Sequence, residues 1–382
     1  MVTTVPSTLK AFLLPFARHY RQKGWRVDAA ACELRSREDV AREFDVAHDI
    51  PLDRSLLRPW RLLRAMTELE RICEVNGYEL VHVHTPVAAF VTRLALRRLR
   101  KRGAVKVVYT AHGFHFFEGA GWLSWIFYGF AERLAGRWTD RLVVINEEDF
   151  KRSRRWRIVP DRHLVAMPGI GVDLDFYSHS AVGDAGRKSL RQRIGVDHEH
   201  FMILMVAEFS NRKRQSDFLK ALAKRGSDAT VGVFVGTGPA LQRMEELAEN
   251  LGVQDRVRFL GFRTDVPELM SATDMLLLPS SQEGLPRCVL EAMASGVPIA
   301  ASDVRGSRDL LANERGWLFP LGDLDAINAT IDAVRSNAPE ARSRARKAKK
   351  AVQDDYELGK IVAAHDQLYG ELVGAFRPAL GA

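Results

Sequence analysis

Short apolar, β-rich runs alternate along nearly the whole chain with longer stretches whose apolar positions recur at helical spacing. Strands buried on both faces read as apolar runs, so this rhythm belongs to parallel sheets with helices on either side. The pattern predicts a first series of strands at Val2–Val5, Arg26–Ala31, Val46–Ile50, Leu80–Thr85, Lys106–His112 and Arg141–Asn146. A second series is predicted at Phe201–Phe209, Thr230–Gly236, Val257–Phe262, Met275–Pro279 and Pro298–Ser302. Pro168-Gly169-Ile170-Gly171-Val172-Asp173 separates the series and suits a hinge. The expected class is therefore α/β, with two doubly wound, Rossmann-like domains joined near residue 172. One element is anomalous. Val2-Thr3-Thr4-Val5 is short for a strand expected at the centre of a sheet, and Pro6 and Ser7 are expected to end it and cap the next helix. Either the true start codon lies upstream or the strand is shortened.

Length and composition narrow the reading. The chain has 382 residues, 46% of them apolar and 27% charged, as in a globular protein with room for two cores. Cys32, Cys73 and Cys288 are odd in number, far apart and free of any C-x-x-C pair, which argues against a disulfide framework or thiolate metal site and favours a reducing, cytoplasmic setting. No window reaches the roughly 18 apolar residues of a spanning helix, and no signal peptide follows Met1. The charge is uneven: residues up to Val172 carry 29 Lys/Arg against 19 Asp/Glu, and the remainder 27 against 29. Such a field attracts a polyanion, either nucleic acid or an anionic membrane leaflet.

Ligands of open parallel sheets bind beyond the carboxyl ends of the strands, so the loops there carry the informative residues. After Met275–Pro279 the chain reads Ser280-Ser281-Gln282-Glu283-Gly284-Leu285-Pro286, then a helical run holding Glu291 and closed by Gly296 and Pro298. Pro286 suits a first helical turn. Glu283 and Glu291 supply two acceptors, and the free amides of Gly284, Leu285 and their neighbours supply donors, an arrangement able to hold a polyhydroxylated anion. Phe201–Phe209 leads into Ser210-Asn211-Arg212-Lys213-Arg214 at a helix start, a diphosphate site by charge and dipole or else a solvated basic turn.

The run from Glu283-Gly-Leu-Pro through Glu291-Ala-Met-Ala to Gly296-x-Pro298 resembles the E-x7-E signature of retaining family-4 glycosyltransferases of the GT-B fold, in which two Rossmann-like domains face each other across a cleft. Thr110-Ala-His-Gly-Phe-His-Phe-Phe and Pro168-Gly-Ile-Gly-Val-Asp resemble members that build bacterial polysaccharides and lipid-linked glycans, so the likeness covers almost the whole chain. It implies an acceptor-binding domain over residues 1–172, rejoined by residues 358–382 through the helix Leu358–Val373, and a nucleotide-sugar domain over 173–357. It further implies transfer of a sugar, with retention, from a nucleotide-sugar donor, most simply a UDP-sugar, to a glycan or lipid-linked acceptor, without metal or other cofactor. Lys213 would neutralise the leaving diphosphate, Glu283 hold the donor sugar, Glu291 the ribose, and His112 the transferring sugar.

Other positions follow the family less closely. Glu208 stands where the family has an arginine, leaving Arg212 or Arg214 to substitute. Gly236-Thr237-Gly238-Pro239 resembles a donor-side glycine turn, and a plain strand-to-helix turn accounts for it equally well. Arg263 and Thr264 fall where the family meets the base. Ser7 and Thr8 replace a glycine loop that contacts acceptor and phosphate. His112 reads as a ligand-facing side chain or as a buried structural one, His115 stays open, and His82 and His84 are expected to be structural. Asp173-Leu-Asp175 and Asp323-Leu-Asp325 spell D-x-D, the first in the hinge and the second a helix cap, so neither is expected to hold a metal. Arg93, Arg97, Arg98, Arg100, Lys101 and Arg102, followed by Trp122, Trp125, Ile126, Phe127 and Phe130, suggest a peripheral membrane face or, for the aromatics, a core stripe. An epimerase or phosphorylase of the same architecture is the nearer alternative; a nucleic-acid-binding protein would leave Glu283 and Glu291 unexplained, and no nucleic-acid partner is expected.

Overall fold

A computed structural model describes residues 1–52, 59–114, 116, 122–179 and 183–374. The chain forms two compact units, one holding Met1–Ile170 and the chain from Gly359 onward, the other Gly171–Leu358.

In the first unit all strand pairings are parallel. They join β1 (Ala29–Ala31) to β2 (Ala47–Asp49), and β3 (Leu80–His84), β4 (Lys106–Ala111), β5 (Arg141–Val144) and β6 (Leu164–Ala166) in that order. Val2 bridges both Ala30 and Val83, inserting the first segment between β1 and β3. Its backbone makes ladder bonds on both sides, Val2 N to His82 O and Thr3 N to Ala30 O among them, although only Val2 itself forms a bridge. Counting that segment as a strand, the sheet reverses direction of winding between it and β3, which puts the first unit's switch point at Thr4, His84 and Thr85. Ser7 does not cap the following helix. Val5 is the extended N-cap residue, Pro6 takes the first helical position, and exposed Ser7 lies within the turn.

The second unit has a six-stranded parallel sheet of β7 (Phe201–Val206), β8 (Thr230–Val235), β9 (Val257–Phe259), β10 (Met275–Leu278), β11 (Ile299–Ser302) and β12 (Trp317–Phe319). Their order is β12-β11-β10-β7-β8-β9, a doubly wound Rossmann order whose reversal lies between β7 and β10. All residues of β8, β10 and β11 are buried, and each large apolar side chain so placed contributes about 1.5–3 kcal/mol relative to exposure. The core thus forms on the central strands and fixes where their carboxyl-end loops emerge.

Two strands escape the hydrophobic pattern, β6 and β12, each three residues long and incompletely buried. Helix Leu358–Val373 buries Ile361, Val362, His365, Leu368 and Tyr369. From it Asp366 reaches Lys23 at 2.5 Å and Tyr369 stacks near Tyr20 and Trp25, all within the first unit. Residues 375–382 and His115 lie outside the described residues. The three cysteines are free thiols.

Candidate functional site

The loops after β7 and β10 diverge at the second unit's switch point, and each delivers one half of an ion pair. After β7, a short turn at Asn211–Lys213 ends in Arg214, whose φ of 55° makes the sharp entry to helix Gln215–Lys224. After β10, Ser281 N and Oγ both donate to Arg212 O, at 2.8 and 3.1 Å, tying the loops together. Lys213 Nζ then lies 2.5 Å from Glu283 Oε1, with Arg212 Nη1 3.6 Å from Glu283 Oε2. Glu283 is 6% exposed, so its charge is largely withdrawn from water and depends on these cations. Arg305, buried at the start of the helix after β11, donates to Glu283 O at 3.0 Å and holds the loop from behind.

Pro286 is the N-cap of helix Arg287–Ser295, one position earlier than a first-turn proline. Glu291 projects from that helix into a buried position, where Arg287 Nε donates to Oε1 at 2.8 Å and the Tyr177 hydroxyl also hydrogen bonds. Burial lifts the Glu291 carboxyl above its ordinary range, opposed by the Arg287 charge and both hydrogen bonds. Glu283 and Glu291 therefore present acceptors on either side of the helix start, where first-turn amides have no intrahelical partner.

Three glycines set the spacing of these loops. A Cβ at Gly236 would stand 2.0 Å from Ala207 O, and one at Gly238 2.4 Å from Phe209 O. Their φ values of 139° and 155° add a second bar to any side chain, and both positions serve the close approach of neighbouring loop backbones. At Gly306 a Cβ would meet Gly284 O at 2.2 Å and Leu285 Cα at 3.0 Å, so the next helix presses directly on the Gly284-Leu285 segment.

The remaining expected residues fall as follows. Glu208 is exposed, with its carbonyl held by Gln215 Nε2 at 2.9 Å. Arg214 turns to Asp217 at 2.5 Å, so of the two arginines considered as substitutes, Arg212 is the one beside Glu283. Arg263 makes two hydrogen bonds to Asp265, at 2.8 and 2.5 Å, in the loop after β9, next to Phe262, which is 73% exposed. Asp173 and Asp323 each cap a helix, accepting from Phe176 N at 3.0 Å and Ala326 N at 2.9 Å. No group of three metal-ligating side chains occurs among the described residues.

In the first unit, a separate polar cluster gathers at the carboxyl ends of β3 and β4. His112 Nε2 and His84 Nδ1 are 3.1 Å apart, and the Phe12 ring stacks on His112 at 5.5 Å between centroids. His82 bridges Thr110 Oγ1, at 2.7 Å, and the Tyr369 hydroxyl. Burial, with the charge of His365, pushes His112 down to about 4, so it is neutral at physiological pH. Ser7 is exposed and Thr8 half-buried, in the helix that follows the first segment.

Sequence reasoning did not single out Arg305, Tyr177 or Arg287, nor assign His84 a part beyond structure. The first and last had a usable signal, an arginine and a histidine at the carboxyl ends of strands. Tyr177 had none, because its role depends on a contact with a helix more than a hundred residues further along the chain.

The expected basic face is corrected in part. Arg93 is wholly buried and paired with Glu132 at 2.8 Å beneath the Tyr109 ring, and Arg100 is paired with Asp140 at 2.9 Å. Trp125 is half-buried against the core, between Phe116 and Trp156, whereas Ile126, Phe127 and Phe130 are 60%, 56% and 67% exposed. The Trp122 side chain lies outside the described residues.

Two family models match adjoining stretches of the chain: Glycosyltransferase Family 4 over residues 11–176 and Glycosyl transferases group 1 over residues 186–352. The putative glycosyltransferase EpsD of Bacillus subtilis is 35% identical over 332 residues, covering 86% of this chain and 85% of its own. An Escherichia coli UDP-Gal:alpha-D-GlcNAc-diphosphoundecaprenol alpha-1,3-galactosyltransferase is 28% identical over 277 residues, 70% of each chain. Among solved structures, Anabaena HepE in complex with UDP superposes with a TM-score of 0.79 at 17% identity, covering 97% of this chain and 98% of that one. Sucrose-phosphate synthase from Thermosynechococcus elongatus reaches 0.81 at 19% identity over the same shares, and both likenesses concern the fold. Paired acidic residues at one switch point, a histidine cluster at another and kinship along most of the chain converge on one assignment: the chain belongs to family 4 of the glycosyltransferases and has the GT-B fold.

Proposed function

We propose that this glycosyltransferase moves a hexose from a UDP-sugar to a glycan or lipid-linked acceptor in cell-surface glycan synthesis, with retention at the anomeric carbon and without a metal ion. The observation that carries the reading is the Lys213–Glu283 pair with Arg212 beside it, set at the switch point where a Rossmann sheet binds its ligand. As the bond to the sugar breaks, negative charge builds on the departing diphosphate. Lys213, Arg212 and the amides at the start of helix Arg287–Ser295 are the groups that stabilise it, which is the task a divalent cation performs elsewhere. Glu283 and the amides of Gly284 and Leu285 take the sugar, Glu291 takes the ribose hydroxyls, and His112 meets the transferring sugar. The acceptor attacks from the leaving-group side, so no protein carboxylate acts as nucleophile. The UDP donor is supported by the UDP bound to HepE and by the substrate in the name of the Escherichia coli relative. That name also supports a lipid-linked acceptor.

A thermal-shift series with UDP-, GDP-, ADP- and TDP-sugars, each with and without EDTA, tests this. Ligand at 100 times its Kd stabilises the native state by about 2.7 kcal/mol. For a unit of this size that corresponds to a rise of roughly 5 °C or more. The rise is expected with UDP-sugars, unchanged by EDTA and lost in Glu291→Ala. A rise that EDTA abolishes, or none with any donor, overturns the reading. Product analysis without acceptor separates transfer from epimerisation.

The acceptor's chemistry also accounts for the exposed face of helix Trp122–Gly136. No described helix is long and apolar enough to cross a membrane. Ile126, Phe130, Arg133 and Arg137 nevertheless form one exposed stripe at helical spacing. Arg100 reaches Arg137 O at 3.2 Å, which brings exposed Arg98 and Arg102 to the same end. Apolar side chains flanked by cations fit the interface of an anionic leaflet. Cosedimentation with phosphatidylglycerol-containing vesicles is expected at moderate salt, with loss of binding in Phe130→Glu. Equal recovery with neutral vesicles, or none with either, removes this surface from the account.

A further inference from the structure

We propose that His84 is a positioning residue that holds His112 in a single tautomer, with the His112 proton on Nδ1 and available to an acceptor oxygen of the ligand. The inference deepens the reading above and rests on it only for the consequence to turnover.

His84 Nδ1 and His112 Nε2 are 3.1 Å apart, and two neutral imidazoles at that distance share one proton. Which ring supplies it depends on the other nitrogen of His84. That Nε2 is buried and has no hydrogen-bond partner among the described residues. A proton there would be a buried N–H without an acceptor, the rarer and costlier way to leave a polar group unpaired. With the proton on Nδ1 instead, His84 donates and His112 Nε2 accepts. A neutral His112 must then carry its own proton on Nδ1.

The surroundings fix this arrangement. The His82 ring lies 4.1 Å from that of His84, and both its nitrogens are engaged, so it does not compete for the His84 proton. The strand end is pinned: Thr85 adopts φ 64°, a rare value for a β-branched residue. Thr4 holds it there by N to Oγ1 at 3.1 Å and a hydroxyl pair at 2.8 Å. Strain of this kind persists where surrounding contacts over-determine it, and it clusters at functional sites. On the far side Phe12 stacks within 20° of the His112 plane and restricts rotation of that ring. Burial pushes both histidines down, His112 to about 4, so at neutral pH neither carries a second proton that would erase the distinction. The group that fits a fixed Nδ1–H is an acceptor, a sugar hydroxyl or a phosphate oxygen.

The test has a direct readout on the wild-type protein. Long-range 1H–15N correlation spectra of 15N-histidine-labelled protein are expected to show His112 as the Nδ1–H tautomer. Finding Nε2–H overturns the proposal whether or not any nucleotide sugar is turned over, so it fails separately from the enzymatic reading. Two variants carry it to activity. His84→Asn retains an amide donor near the place of Nδ1, and His84→Leu has none. His84→Leu is expected to lower kcat by roughly 10- to 100-fold. The donor KM should stay within about twofold, since a tautomer error acts on the transfer step more than on ground-state binding. His84→Asn should restore most of the lost kcat. If both variants fold and lose kcat equally, or if His84→Leu keeps full kcat, the positioning role is wrong. Should His84→Leu fail to fold, the wild-type spectrum decides alone.

Discussion

Replacing Lys213 with methionine is expected to lower kcat for sugar transfer by about 10²- to 10³-fold, the effect of removing one preorganised charge from a developing anion. Stability should fall as well, because Glu283 is buried and its ammonium partner at 2.5 Å would be gone, leaving Arg212 at 3.6 Å. Breaking a buried pair on one side costs about 3 kcal/mol or more. The two effects separate in the double variant Lys213→Met/Glu283→Gln. Both charges are then absent, so the melting temperature should recover toward that of wild type, whereas kcat should stay low. Steady-state kinetics beside differential scanning calorimetry reads both quantities. A double variant that regains kcat to within tenfold of wild type would show that the Lys213 charge acts only to hold Glu283, and would end its assignment to the diphosphate.

Mild acid is expected to destabilise the first unit. His82, His84, His112 and His365 are all held below their ordinary range, with burial the main cause in each case. Below pH 6.5 the unfolded chain takes up protons at these positions while the folded unit does not. The unfolded state then binds more protons, and stability falls as the pH falls. Between pH 7.5 and 5.5 each histidine that remains neutral in the folded unit removes about 1.4 kcal/mol, and His82, His84 and His112 together roughly 4 kcal/mol. The melting temperature should drop by roughly 10 °C or more over that interval. The loss continues until the folded groups themselves titrate, near pH 4 for His112. Calorimetry across the range checks this, and replacing His365 with glutamine should flatten the slope. A midpoint that moves by less than about 3 °C between pH 7.5 and 5.5 would mean that water reaches the cluster.

Much of the architecture could be read from the amino-acid pattern for a physical reason. The central strands of a doubly wound sheet are buried on both faces, so β7, β8, β10 and β11 appear as predominantly apolar runs bounded by loop residues. Edge strands β6 and β12 span three residues and keep positions in contact with water, and that removes the contrast on which the pattern depends. Candidate site residues were legible where chemistry and position coincide locally. Lys213 and Glu283 lie in loops that leave neighbouring strands, and a doubly wound order brings such loops together. Tyr177 acts through a partner more than a hundred residues further along the chain, and local spacing does not encode that distance, whereas Arg305 and His84 stand at the carboxyl ends of strands, a position the pattern does mark. Burial of Arg93 was equally invisible, since a cation in a basic run looks exposed until Glu132 and Tyr109 are seen around it.

The tight glycine contacts divide the donor-side loops into parts that evolution can vary and parts that it cannot. Any side chain at Gly236, Gly238 or Gly306 would collide with a backbone oxygen within 2.4 Å, and such a collision is relieved only by moving a whole loop. The tip of the loop after β9 is unlike them: a Cβ at Gly261 meets nothing within 4 Å, and Phe262 stands in solvent. On the proposed placement of the nucleotide base at this loop, a directed-evolution library aimed at a new base belongs at residues 262–264, with the three glycines and Gly261, whose φ is 64°, left fixed. Natural divergence of base preference among related enzymes should be concentrated at the same tip.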